Sequence, residues 1–153
     1  MYKKILVTLD GSEYAESSLE HAKAIASGCS VPEVVLFGVV EPIPQVAEFG
    51  YMSGDLAVQA EKQALDWLKE YLAKAAGKLG TAGLTVRWAV ARGRAADEIL
   101  DYAAKSNVDL IIMTTHGRSG IARWALGSVA DRVVRHAMAP VLTIPPRGVK
   151  KGK

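Results

Sequence analysis

Five short apolar runs, alternating with stretches that carry apolar residues at helical spacing, constrain this chain more than any other feature. Residues 4–9 (KILVTL) form a β-rich run closed by the turn signal Asp10-Gly11-Ser12. Residues 13–27 place Ala15, Leu19, Ala22, Ile25 and Ala26 on one helical stripe, with Gly28 as the expected stop. Residues 34–40 (VVLFGVV) are apolar without a break, as in a strand covered on both faces. A second helix is predicted over 55–79 on the stripe Leu56, Ala60, Ala64, Trp67, Leu68, Tyr71 and Leu72. A strand over 84–90, a helix over 94–105 (Ala95, Ile99, Tyr102 and Ala103 inward), a strand over 108–114, a helix over 128–137 and a strand over 140–144 complete the series. Trp67 and Trp88 fall on these stripes and are expected in the core; Trp124, in a loop, fits a packing or dimer contact.

Alternation of this kind folds as a parallel sheet with right-handed crossovers. The expectation is an α/β fold: an open five-stranded parallel sheet with helices on both faces, three layers deep and Rossmann-like. In such sheets ligands bind beyond the carboxyl ends of the strands, where the strand order reverses. With the first strand central, that crevice lies between the first and fourth predicted strands, near Asp10 and Thr114–Gly117. The 153 residues suit one domain, 1–146, followed by a flexible basic tail, 147–153. Residues 41–54 hold two prolines and two glycines and read as a long loop, either a binding loop or lid or a segment without fixed order.

Charge excludes some partners. The net +3 comes from Arg147, Lys150, Lys151 and Lys153; the remainder has 15 basic against 16 acidic residues. No basic face with interleaved aromatics appears, so no nucleic-acid partner is expected. No apolar run reaches the roughly 18 residues of a membrane span. The five uncharged residues between Lys4 and Asp10 do not make a signal-peptide core, and a cytoplasmic location is expected. A single cysteine, Cys29, excludes an intrachain disulfide, and His21, His116 and His136 lack metal-ligand spacing.

The densest chemistry lies in Thr114-Thr115-His116-Gly117, a nine-residue spacer, and Gly127-Ser128 at a helix start. Glycines admit close backbone approach, and the free N–H groups of a helix N-terminus attract phosphate. Between Thr115 and His136 stand Arg118, Arg123, Arg132 and Arg135 against the single acid Asp131, which also favours an anion. An ordinary βα loop with a Gly-Ser helix start accounts for the spacing equally well. Neither GxxxxGK[ST] nor GxGxxG occurs, so any nucleotide is held by backbone amides, hydroxyls and arginine. Asp10 can accept from ribose hydroxyls or meet a phosphate-bound Mg²⁺, and as a plain turn residue it can start a helix. No nucleophile elbow and no paired carboxylates are seen, and no catalytic residue is assigned.

Together, residues 3–12 (KKILVTLDGS), 115–120 (THGRSG), 126–130 (LGSVA) and 139–144 (APVLTI) resemble the universal stress protein family in its single-domain form, over residues 2–145. The ATP-binding branch of that family carries Gly, two residues, Gly, nine residues, then Gly-Ser or Gly-Thr. This chain keeps Gly117, the spacer, Gly127 and Ser128, and has Thr114 at the first glycine. The resemblance implies an adenine nucleotide alpha hydrolase-like fold that binds ATP, with or without Mg²⁺. It implies a nucleotide-dependent stress-response regulator or sensor and at most a slow ATPase. It places Asp10 at ribose or metal-phosphate, Val39 against adenine, and Gly117, Gly127, Ser128, Val129 and Ala130 at the phosphates. Thr8, Leu9, Met113, Thr114 and His116 would line the site. It also implies a homodimer through the last strand, Val141–Ile144. The alternative, suggested by Thr114, is a protein-interaction module of the same fold without nucleotide.

Overall fold

The computed structural model describes residues 1–43, 46–47, 50–51, 54–80, 83–115 and 126–145. In chain order the elements are β1 (Lys4–Thr8), α1 (Glu13–Gly28), β2 (Glu33–Val40), β3 (Val46–Ala47), β4 (Gly50–Tyr51), α2 (Gly54–Leu79), β5 (Thr85–Arg92), α3 (Ala95–Lys105), β6 (Leu110–Thr114), α4 (Ser128–His136) and β7 (Val141–Ile144). Five strands form one parallel sheet in the order β5-β2-β1-β6-β7, with β1 central. Strand order therefore reverses between β1 and β6.

Side chains alternate across the pleat. Ile5, Val7, Leu36 and Ile112 face a core closed by α1 and α2; Leu6, Val35, Phe37, Ile111 and Met113 face a second core closed by α3 and α4. Each fully buried Leu, Ile or Val adds about 1.5–3 kcal/mol of transfer free energy. Phe37 and Tyr102 stack at 4.5 Å, joining β2 to α3. Gly38 admits α2 to the other face, since a Cβ there would lie 2.8 Å from Leu68 Cδ2.

The structure corrects four expectations. The face of α2 that packs inward is Ala57, Glu61, Leu68, Leu72, Ala75 and Leu79, and Leu56 is exposed. With Leu68 seated over Gly38, Trp67 is turned off the core and remains 47% exposed. Trp88 is 41% exposed because β5 is an edge strand with one neighbour. The segment 41–54 holds a short antiparallel pair, with Val46 opposite Tyr51 and Ala47 opposite Gly50. The basic tail from residue 146, and Trp124, fall outside the described residues.

At the amino end of the sheet, Asp109 fixes the chain start. The amides of Lys3 and Lys4 donate to its Oδ2 at 2.8 and 2.9 Å, while its own amide donates to the Lys4 carbonyl. Those donors hold its carboxyl below the usual range.

Candidate functional site

A cleft of about 810 Å³ opens over the carboxyl ends of β1, β2 and β6, at the strand-order reversal. That volume lies in the roughly 300–1,000 Å³ range of small-molecule sites. Thr8, Leu9, Asp10, Val39, Met113, Thr114, Gly127, Ser128, Val129 and Ala130, scattered over 123 positions of sequence, all line it. His116 and Gly117 lie outside the described residues.

The order of the sheet gives the cleft a direction. Neighbouring strands stand about 4.8 Å apart, so the ends of β2 and β6 are separated by about 10 Å, with β1 between them. Along that line come Val39 and Glu41 after β2, Asp10 after β1, Thr114 and Thr115 at β6, then the start of α4.

At β1, Asp10 Oδ1 accepts from the Ser12 amide (2.9 Å) and the Ser12 hydroxyl (2.6 Å). Ser12 Oγ in turn accepts from Ala15 N–H at 3.2 Å and caps α1. Gly11, at φ +84°, makes the turn that L side chains rarely adopt.

At β2, Glu41 Oε1 accepts from Ala95 N–H at 3.0 Å, so an internal carboxylate sits on the α3 N-terminus. Beside it is a residue that periodicity does not single out. Glu61, 9% exposed, accepts from Ile43 N–H (3.3 Å) and pairs with Arg92 Nη2 (2.6 Å). An acid on the buried side of an otherwise apolar helix stripe is the signal that could have found it.

At β6, Thr114 is a strand residue, 8% exposed and opposite Ile144. A β-branched residue suits that extended backbone, so the position does not require glycine. The chain returns at Gly127, whose amide donates to the Thr115 carbonyl (2.8 Å) and which precedes α4. Among the described residues no side chain accepts from the amides of Ser128, Val129 or Ala130. Of the four arginines expected to favour an anion, Arg118 and Arg123 lie outside the described residues and the other two carry acidic partners. Arg132 pairs with Asp97 (2.7 Å) and Arg135 with Asp131 (2.9 Å). The described lining holds Asp10, Glu41 and Glu61 and no basic side chain. Positive potential in it comes from backbone alone, at the helix N-terminus. Among the described residues no three His, Cys, Asp or Glu are grouped to hold a metal ion.

The sequence matches the model of the universal stress protein family over residues 1–145. The chain is 34% identical over 144 residues to universal stress protein MJ0531 of Methanocaldococcus jannaschii, covering 94% of this chain and 82% of that one. Among solved structures, MJ0577 of the same organism superposes with a TM-score of 0.84 at 29% identity, over 98% of this chain and 99% of that one. A universal stress protein in complex with cAMP superposes at 0.68 and 23% identity, over 94% and 97% of the two chains, a likeness of fold.

Proposed function

The chain belongs to the universal stress protein family, and on that premise we propose that it is an ATP-binding regulator whose cleft holds the nucleotide along the sheet edge. One observation carries this reading: the amides of Ser128, Val129 and Ala130, which no described side chain accepts from, open onto a cleft whose described charged side chains are all carboxylates. Phosphate placed there gains the helix dipole and backbone donors, and is kept from the Glu41 and Glu61 end. Asp10, one strand across, is then within reach of ribose, and Val39, one strand further, of the base. His116 and Gly117 are assigned to the phosphate side with them. Bound Mg²⁺ would supply charge neutralisation at the phosphates, with Asp10 as the carboxylate on the described lining nearest to them. The chain's own residues bind and orient; nothing on the lining is placed as a general base, so the role is sensing rather than turnover. The fold relatives' cAMP complex supports a nucleotide in this family's cleft.

The protein is further read as a homodimer through β7. Ile111 N–H donates to the Pro140 carbonyl and Thr115 N–H to that of Ile144, so even-numbered residues of β7 bond inward. Val141 and Thr143 therefore turn their N–H and C=O to an open edge, flanked by exposed Val134 and Met138. Thr143→Pro removes an outward donor and leaves the β6–β7 ladder intact. Light scattering should show a dimer become a monomer; an unchanged dimer rules out this edge. A charged residue at Leu142 is a poorer test, because Leu142 packs against the core.

Calorimetric titration with MgATP, repeated on Gly127→Val, tests the nucleotide reading. Gly127 sits at φ −58°, which valine tolerates, so a loss reports on space at the helix start and not on backbone strain. Heat in the wild type that valine removes supports the reading. A folded wild-type protein giving no heat moves the function to an interaction module, with Thr114→Gly as the variant to titrate next.

A further inference from the structure

Trp67 is the one large aromatic of α2 that lines the cleft, and its surroundings give it work that packing alone does not explain. The outer edge of its indole meets Gly11: a methyl group there would run into Cη2 and come within 2.8 Å of Cζ3. Gly11 is thus required twice, for its positive φ and for the ring above it. On its other side Trp67 stacks on Tyr71, ring centres 5.5 Å apart and planes 8° from parallel. Tyr71 is close enough to the same turn to feel it: burial, then the carboxylates of Glu16 and Asp10, push its phenol far above the ordinary value. The Asp10–Gly11–Ser12 turn is therefore held between an aromatic pair on α2 and the α1 cap. A half-exposed tryptophan forgoes part of its burial energy, and here the forgone part faces the cleft.

We infer that Trp67 is a positioning residue: by pressing on Gly11 it fixes the Asp10 carboxylate for a ribose hydroxyl, and so sets the preference for ribonucleotide over deoxyribonucleotide. This rests on the nucleotide reading above and goes beyond it, because Trp67 has no part in that reading. A hydroxyl bonded to an aligned carboxylate is worth about tenfold in affinity, and a carboxylate free to swing loses most of that discrimination.

The test titrates wild type, Trp67→Ala and Trp67→Phe with ATP, 2′-deoxy-ATP, 3′-deoxy-ATP and inorganic triphosphate. In the wild type one deoxy analogue should bind about tenfold weaker than ATP. In Trp67→Ala that penalty should fall to about twofold while triphosphate binds as before, and Trp67→Phe should restore it. Hydrogen exchange at the Ser12 amide, which donates to Asp10, gives a readout that needs no ligand; it should quicken about tenfold in Trp67→Ala. A penalty that survives in Trp67→Ala, or equal weakening of all four ligands, overturns the proposal. If the wild type takes up no nucleotide, the nucleotide reading fails by itself, and unchanged Ser12 exchange in Trp67→Ala then overturns the hold on the turn.

Discussion

α3 and α4 both begin at the carboxyl end of the sheet and both border the same cleft, yet their first turns are finished in opposite ways. The α3 start is filled from within. Glu41 accepts from Ala95 N–H, Asp97 and Glu98 lie in the first turn, and the Glu98 side chain folds over Gly93, at φ +152°. The α4 start has Gly127 as its cap residue and no described side chain on its amides. A helix end with its own carboxylate has little left to offer an outside anion; one without it offers its full dipole and donors. The difference teaches why the proposed reading puts phosphate at α4 and not at α3: of the two helix starts at the switch point, only that of α3 carries a described carboxylate on its amides. Capping is worth about 1 kcal/mol, so leaving α4 open costs stability that binding can return.

The comparison predicts a double dissociation. Gly127→Val should weaken ATP by about a hundredfold or more, the worth of two or three charge-assisted amide bonds, while urea unfolding stays within about 0.5 kcal/mol of wild type. Glu41→Ala should do the reverse: about 1 kcal/mol of stability lost as α3 frays, and ATP affinity within about threefold. If Glu41→Ala abolished binding and Gly127→Val did not, the two helix starts would have exchanged roles.

A smaller effect is expected from Arg92→Ala, which leaves the buried Glu61 carboxylate without its partner beside the filled end of the cleft. Because Arg92 is largely exposed and water can replace it, the loss in urea unfolding should be about 1 kcal/mol. A loss near zero would show that Ile43 N–H alone suffices for Glu61.

The smallest effect belongs to the opposite end of the sheet, where Asp109 does for the strand amides of Lys3 and Lys4 what Glu41 does for α3. Its folded-state pKa is lowered by those two N–H donors, so its contribution is fully present above the unfolded value, about 3.9. It disappears as pH falls through the lower folded value. Urea midpoints of wild type and Asp109→Asn should therefore differ by about 0.5 kcal/mol or less near neutrality and converge in acid. A gap that widens on acidification would mean that the carboxylate is not what stabilises the bonds.

Much of this architecture was legible in residue order. The uninterrupted apolar run of β2 required a strand covered on both faces, and the alternation of strand with helix required parallel crossovers. Asp10 after β1 and Gly127-Ser128 before α4 were legible as residues of the cleft because a strand end and a helix start carry local turn and cap chemistry. Trp67 was misplaced by its own periodicity: a stripe more than 100° wide names a face of α2, and whether one residue at its margin enters the core depended on Gly38 admitting Leu68 instead. Four arginines between Thr115 and His136 read as an excess that favours an anion; of the two described, Arg132 pairs with Asp97 and Arg135 with Asp131, partners that local sequence gives only for the second.

The sequence by itself determined the alternation of four helices with the five strands of the parallel sheet, and the family. These follow from periodicity, turn residues and motif spacing, all of which act within a few residues along the chain. Only the tertiary structure decided which helix start carries a distant carboxylate on its amides. Glu41 reaches a helix 54 positions later, Glu61 meets Arg92 from another layer, and Trp67 settles on a glycine of the first turn. Those partners are chosen by crossovers that bring distant segments to one edge of the sheet, and no local preference for helix or strand encodes which carboxylate will reach which amide.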